Sequence, residues 1–227
     1  MKKLFLNITF LLLAQGLFSQ NTDTRPLHTV TKLVITGKTF SAEIFKGEEN
    51  KIEITSADLT MDKILTTESN GELKVSVKGL FTSGDAKLKI YLKTIPATIE
   101  INNGAYLKSE EKIEVGQISL ITNSDGYIRL NLISDNVVLQ CNTGGDATLE
   151  GSAKSLSISA NTNATVRAEA MEVNNGVVKA YIGAEIYVAV KDNLACTTGT
   201  GGKIHIYKPY PTNITESNES GGAVIRE

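Results

Sequence analysis

The stretch from Thr98 to Pro211 decides the fold. Cut every 19 residues, it reads TIEINNGAYLKSEEKIEVG (98–116), QISLITNSDGYIRLNLISD (117–135), NVVLQCNTGGDATLEGSAK (136–154), SLSISANTNATVRAEAMEV (155–173), NNGVVKAYIGAEIYVAVKD (174–192) and NLACTTGTGGKIHIYKPYP (193–211). The second column holds Ile99, Ile118, Val137, Leu156, Asn175 and Leu194. The fourth holds Ile101, Leu120, Leu139, Ile158, Val177 and Cys196. Only Asn175 is neither apolar nor a thiol, in a chain that is 41% apolar overall, so the period is a property of the fold and not of composition. Position 7 holds Gly104, Asn123, Asn142, Asn161, Ala180 and Gly199, and position 10 holds Leu107, Gly126, Gly145, Ala164, Gly183 and Gly202. Gly and Asn tolerate left-handed backbone angles, which places a sharp corner at positions 7–10. Short strands with corners at a fixed period bury their apolar side only by stacking coil on coil. The expected fold is therefore all-β, a parallel β-helix with coils of about 19 residues. The weak point of the register is Asn174–Asn175, where a coil starting near Met171 is the alternative.

Outside this stretch the chain alternates with period two through Leu33/Ile35, Phe40/Ala42/Ile44, Ile52/Ile54, Leu73/Val75/Val77 and Leu88/Ile90/Leu92, the pattern of strands with one buried face. Turn signals at Lys46-Gly47-Glu48, Asn70-Gly71 and Ser83-Gly84-Asp85 separate these runs. Coiled throughout, Leu27 to Asn213 would form about ten coils, a rod of about 48 Å at the strand spacing of about 4.8 Å. The less regular Leu27–Leu73 is placed to cap one end, and the polar tail 214–227 to close the other as a short strand or to fray.

Residues 1–20 read as a secretory signal: Lys2 and Lys3, then the mostly apolar Leu4–Leu17, then small residues at Gly16 and Ser19. Residues 21–29 form a leader and residues 30–213 the β-helix domain. The expected location is outside the cytoplasm: periplasm, cell surface or secreted. The formal charge of −2 drops by two more when Lys2 and Lys3 are removed. With no Lys/Arg cluster, nucleic acid is a poor partner. No further stretch is long and apolar enough for a transmembrane segment in the mature chain.

Tyr91-Leu-Lys-Thr-Ile-Pro96, Ile99-Glu-Ile-Asn-Asn-Gly104, Asn174-Asn-Gly176 through Ala184-Glu-Ile-Tyr-Val188, and Gly199-Thr-Gly-Gly-Lys-Ile-His-Ile-Tyr-Lys-Pro209 with Gly221-Gly222 together resemble the GIN-domain family of auto-transporter adhesin heads, exported bacterial proteins abundant in the Bacteroidetes. Phe40-Ser-Ala-Glu-Ile-Phe-Lys-Gly-Glu-Glu49 resembles the family's first strand pair. The resemblance runs from about Thr29 to the C-terminus and departs at Lys208-Pro209, where the family more often has Gly before Pro. It implies a single-stranded right-handed β-helix and an adhesin-like role. It brings no catalytic residues.

Candidate chemistry is sparse. Cys141 and Cys196 are an even pair in an exported chain, which suggests a disulfide, but three coils place them about 14 Å apart along the axis, beyond bridging reach; both are expected free. Asn123, Asn142 and Asn161 read as a structural ladder. Of Asp125, Asp135, Asp146, Glu150 and Glu169 only the last two share a column, position 15, and all read as a solvated face, as do Arg129 and Arg167 at position 13. His28 and His205 have no metal-ligand spacing, and no cofactor is implied. Tyr181, Tyr187, Tyr207 and Tyr210 form a possible binding surface, since exposed rings stack on sugars or pack a partner. The reading is a non-catalytic, exported module that binds or scaffolds at the cell envelope, its partner an envelope glycan or protein. The alternatives are a polysaccharide lyase or hydrolase, for which the uniform lines leave no inserts to wall a groove, and a structural domain that self-associates end to end.

Overall fold

The computed structural model of the protein describes residues 21–79 and 84–227; the segment read as a secretory signal lies outside the described residues. Among the described residues seventeen strands follow one another, with one 3-10 turn at Met61–Lys63. They are β1 (Asn21–Pro26), β2 (Lys32–Thr36), β3 (Phe40–Lys46), β4 (Lys51–Ser56), β5 (Ile64–Ser69), β6 (Glu72–Val77), β7 (Ala86–Leu92), β8 (Thr98–Asn102) and β9 (Tyr106–Lys108). The longer strands follow: β10 (Ile113–Asn123), β11 (Tyr127–Asn142), β12 (Asp146–Ala160), β13 (Thr165–Ala180) and β14 (Glu185–Thr198). The last are β15 (Lys203–Ile206), β16 (Asn213–Asn218) and β17 (Ala223–Arg226). Together they make a β-solenoid of about six turns with roughly 20-residue spacing.

Each coil has three sides. Side A stacks β6, β2, β8, the ends of β10 to β14, and β16, all in parallel. Side B stacks β7, β3, β9, the starts of β11 to β14, then β15 and β17. Side C is short: Ile113–Val115, Leu132–Ser134, Gly151–Ala153 and Met171–Val173. The expectation of short strands is corrected here for the middle coils, because β11, β12 and β13 run 15 to 16 residues through the bends.

The apolar columns predicted from the repeat form one continuous core, although their register needs correction. Thr98 pairs with Ser119, not Gln117, so the first coil is 21 residues long. Gln117, Asn136 and Ser155 stack as expected. Ser155 then pairs with Asn175, not Asn174. The buried column is therefore Ile99, Leu120, Leu139, Ile158, Val178 and Cys196. Val177, which the 19-residue spacing put inside, is 45% exposed. The cause is a bulge: between Thr148/Arg167 and Gly151/Met171 strand β13 has one residue more than β12. The bulge turns both Glu169 and Ala170 away from the core and shifts the chain by one until β14, where Asn175 pairs with Asn193 and the 19-residue grid is restored.

The corner is a four-residue turn whose two central residues are left-handed. Ser124 and Asp125, Thr143 and Gly144, Thr162 and Asn163, and Ile182 and Gly183 all have positive φ. The turn closes by a backbone hydrogen bond such as Gly126 N–H to Asn123 C=O, the geometry of a type I′ turn. Its fourth residue must be small: a Cβ on Gly126 would lie 2.2 Å from the Ile101 carbonyl oxygen. With the true register this column reads Ala105, Gly126, Gly145, Ala164, Ala184 and Gly202.

The two ends are closed differently. The chain does not coil continuously from its start, and the expected ten coils and 48 Å rod are corrected. On side A the order is β6–β2–β8, so the coil made by β2 and β3 lies between a later coil (β6, β7) and the start of the regular stack. Beyond that outer coil β4 pairs antiparallel with β7, β1 with β4, and β5 with β6. The residues read as a leader are thus largely strand β1. Arg25 ties it down, donating to the carbonyls of Ile64 and Met61 at 2.8 and 3.0 Å. At the other end β16 and β17 add a last rung on Asn193–Thr198 and Lys203–Ile206.

Candidate functional site

Side B carries outward files of aromatic and charged groups. Parallel stacking repeats at about 4.8 Å, so like positions on successive rungs form files along the axis. One file runs Glu43, Lys108, Arg129, Thr148, Arg167, Tyr187 and His205. Its neighbour runs Ser41, Tyr106, Tyr127, Asp146, Thr165, Glu185 and Lys203. Inward residues between them, such as Ile128, Val166 and Ile186, are fully buried and hold the files in place.

The spacing brings rings face to face. Tyr106 and Tyr127 stack at 5.2 Å between centroids, and Tyr187 and His205 at 4.6 Å. The Arg167 guanidinium lies 4.7 Å from the Tyr187 ring centre. Tyr187 is therefore covered on both faces, and only its edge and hydroxyl remain for a partner. That hydroxyl donates to Glu185 at 2.8 Å, and Lys203 donates to the same carboxylate at 3.0 Å. The Glu185 carboxylate, with help from burial, raises the Tyr187 phenol above its usual range. In return the Tyr187 hydroxyl, and then Lys203, hold the Glu185 carboxyl below the usual carboxylate range. Burial, and then Tyr127, raise the Tyr106 phenol. His205 Nδ1 lies 2.7 Å from Glu227 Oε1.

The four tyrosines singled out from the sequence are not brought together as one patch. Tyr187 and Tyr207 are neighbours, with ring centres 6.5 Å apart and tilted. Tyr210 is 42% exposed and its hydroxyl bonds the Glu227 carbonyl. Tyr181 lies at the corner of side A, its ring packed over Gly199, where a Cβ would come within 2.7 Å. It stands where earlier coils carry an asparagine. Sequence reasoning missed Arg167 and His205 as partners of Tyr187, and missed Tyr106 with Tyr127. The first coil's two extra residues put these last two in different columns of a 19-residue grid; the shared column of Arg129 and Arg167 was the available signal.

The other candidates resolve as structure. Asn123, Asn142 and Asn161 form a ladder that Asn102 extends, with amide-to-amide bonds of 2.8, 2.9 and 3.0 Å. A second ladder joins Asn175, Asn193 and Asn213 at 2.7 and 3.0 Å. Cys141 and Cys196 are free and buried, and burial pushes each thiol up to about 12. Arg129 pairs with Glu150 at 3.0 Å and Lys154 with Asp135 at 2.6 Å. Asp146 accepts from the Thr165 amide at 2.9 Å. Among the described residues no group of three His, Cys, Asp or Glu is arranged to hold a metal ion, and no helix is long and apolar enough to cross a membrane.

Comparison with known proteins places this architecture. The fold is similar to a "putative adhesin" from Bacteroides fragilis, with a TM-score of 0.79 and 15% identity over 92% of this chain and 97% of that one. It is also similar to a "putative lipid binding protein" from Parabacteroides distasonis, with a TM-score of 0.73 and 14% identity over 92% and 96% of the two chains. A "putative adhesin" from Parabacteroides merdae aligns with a TM-score of 0.65 and 15% identity over 92% and 96%. At these identities the likeness concerns the fold alone. No curated protein matches the chain in sequence. A family model described as "Putative auto-transporter adhesin, head GIN domain" matches residues 31–209, and with most of its length so matched the chain belongs to that family.

Proposed function

We propose that this chain is an exported, non-catalytic binding module of the cell envelope, and that its adhesin-like contact surface is side B. The observation that carries the reading is the pair of outward files from Glu43 and Ser41 to His205 and Lys203, in which charged groups, hydroxyls and tyrosines stand side by side along the axis. A surface with one hydrogen-bonding group per rung suits a long, repetitive partner, either an envelope glycan or an extended protein. Tyr207 and Tyr210 offer ring surface at the end of these files, while Tyr187 contributes its edge and Tyr181 lies apart on side A. Family membership and the neighbours' names support the adhesin-like role.

The test is retention of envelope glycan and protein fractions on the immobilised protein, with polymer length monitored in the same samples. The expected result is retention of an intact polymer, weakened roughly tenfold, about 1.4 kcal/mol, by Arg167→Ala combined with Tyr207→Ala. Shortening of the polymer would replace the binder by an enzyme, and unchanged retention in the double variant would move the surface elsewhere.

A further inference from the structure

Side C ends abruptly, and a pocket lies where it ends. Strand β13 contributes Met171–Val173 to this side, but β14 shortens: Ala168 pairs with Val188 and Val173 already pairs with Val190. Five steps of backbone in β13 face two in β14. Between these points Met171 and Glu172 have no partner in β14, and the edge of a parallel strand is left beside a cavity of about 430 Å³. Its opposite wall is Ala189, Lys191, Lys208 and Pro209, and its near wall the bulge residues Glu169 and Ala170.

Four charged side chains converge on this pocket. Many acids and bases on the surface pair closely, as in Lys32–Glu72, Arg129–Glu150 and Lys203–Glu185. Glu169, Glu172, Lys191 and Lys208 line one cavity, yet among the described residues none of their side chains has an ion pair or hydrogen bond. Glu169 Oε2 is buried without a partner, and an unsatisfied buried acceptor is a costly arrangement. Two carboxylates, two ammonium groups, an apolar lining from Ala170, Val173 and Ala189, and an unpaired strand edge meet in one place.

We propose that this pocket binds a short extended peptide with free termini. Its backbone pairs with the open edge at Met171–Glu172, its carboxylate lies between Lys191 and Lys208, and its ammonium group meets Glu169 and Glu172. The volume is within the range of small-ligand pockets. This site is on another side of the coil from the surface proposed above and does not rest on that reading.

The probe is trialanine with free termini, titrated into the protein by calorimetry and by amide NMR. Saturable binding with Kd below about 1 mM, with shifts confined to residues 169–173, 189–191 and 208, is expected. Lys191→Ala with Lys208→Ala weakens it at least roughly tenfold, and Glu169→Gln weakens it without changing the thermal midpoint by more than a degree or so. The lysines are exposed, so their replacement leaves folding intact. N-acetyl-trialanine amide binds at least roughly tenfold more weakly. Absence of saturable binding, equal binding of the blocked peptide, unchanged binding in the double lysine variant, or shifts on side B would each overturn the proposal.

Discussion

Arg226 donates to Glu216 Oε1 at 2.5 Å across the end of the apolar core. Glu216 stands over the buried Cys196 and Arg226 over the buried Ile206, so both charges occupy inward positions of the last rung. Inward-pointing charge on an edge strand is a device against pairing with another chain. At the far end the antiparallel strands β1, β4 and β5 do the same work by turning the stack aside. This arrangement opposes the end-to-end association considered from the sequence.

Removing the charged plug should create that association. Glu216→Leu with Arg226→Leu continues the apolar columns to an open edge. Sedimentation should show a single monomer for the parent and concentration-dependent dimers for the double variant; a variant that stays monomeric at the same concentration would contradict the role of the pair. Loss of the pair itself should cost no more than about 1 kcal/mol, since it is partly exposed.

The two asparagine ladders should differ in worth. Asn142 both donates to Asn123 and accepts from Asn161 in a partly buried setting. Asn142→Ala should lower unfolding free energy by about 2 kcal/mol, because it leaves neighbours unsatisfied. Asn193 makes the same two bonds in solvent, and Asn193→Ala should cost less than about 1 kcal/mol. Urea unfolding of the two variants checks the order, and equal losses would count against the burial argument.

Ile182 has φ of 48° and is 54% exposed. A β-branched residue is strained in that region, and the exposed side chain gains little from packing. Ile182→Asn should therefore raise stability by about 1 kcal/mol, seen as a higher urea midpoint with an unchanged slope.

Both thiols are held protonated by burial. Their value is raised from an ordinary 9.0 to about 12, so the folded state keeps protons that the unfolded chain releases. The sign is that stability is fully present below about pH 9 and falls as pH rises toward about 12. Cys141→Ala should flatten that fall in alkaline unfolding curves. A thiol reagent should count two free thiols in the unfolded protein and react only slowly with the folded one. A count of zero would mean a disulfide and a different register.

The regular core was legible in the sequence because the side-chain period of a strand and the coil length are both written in it. Leu120, Leu139 and Ile158 stack as a 19-residue spacing requires. Val177 did not, because one bulge residue at Glu169–Ala170 shifts the rest of β13 by one, and only the shorter β14 brings Leu194 and Cys196 back to the 19-residue grid. The tyrosines were visible as residue types, but whether a ring shows its face or its edge depends on which residue stands one rung away. Arg167 is 20 positions before Tyr187 and His205 is 18 after it, and no single period finds both.

By itself the sequence determined the class of fold, the apolar spine and the left-handed corner, since these follow from hydropathy and backbone sterics repeated along the chain. Only the tertiary structure decided the order β6–β2–β8, the coil lengths of 21, 20 and 18, the covered faces of Tyr187 and the step that opens the pocket at Met171. Each depends on register between strands far apart in sequence, which bulges and long-range packing set and local pattern does not.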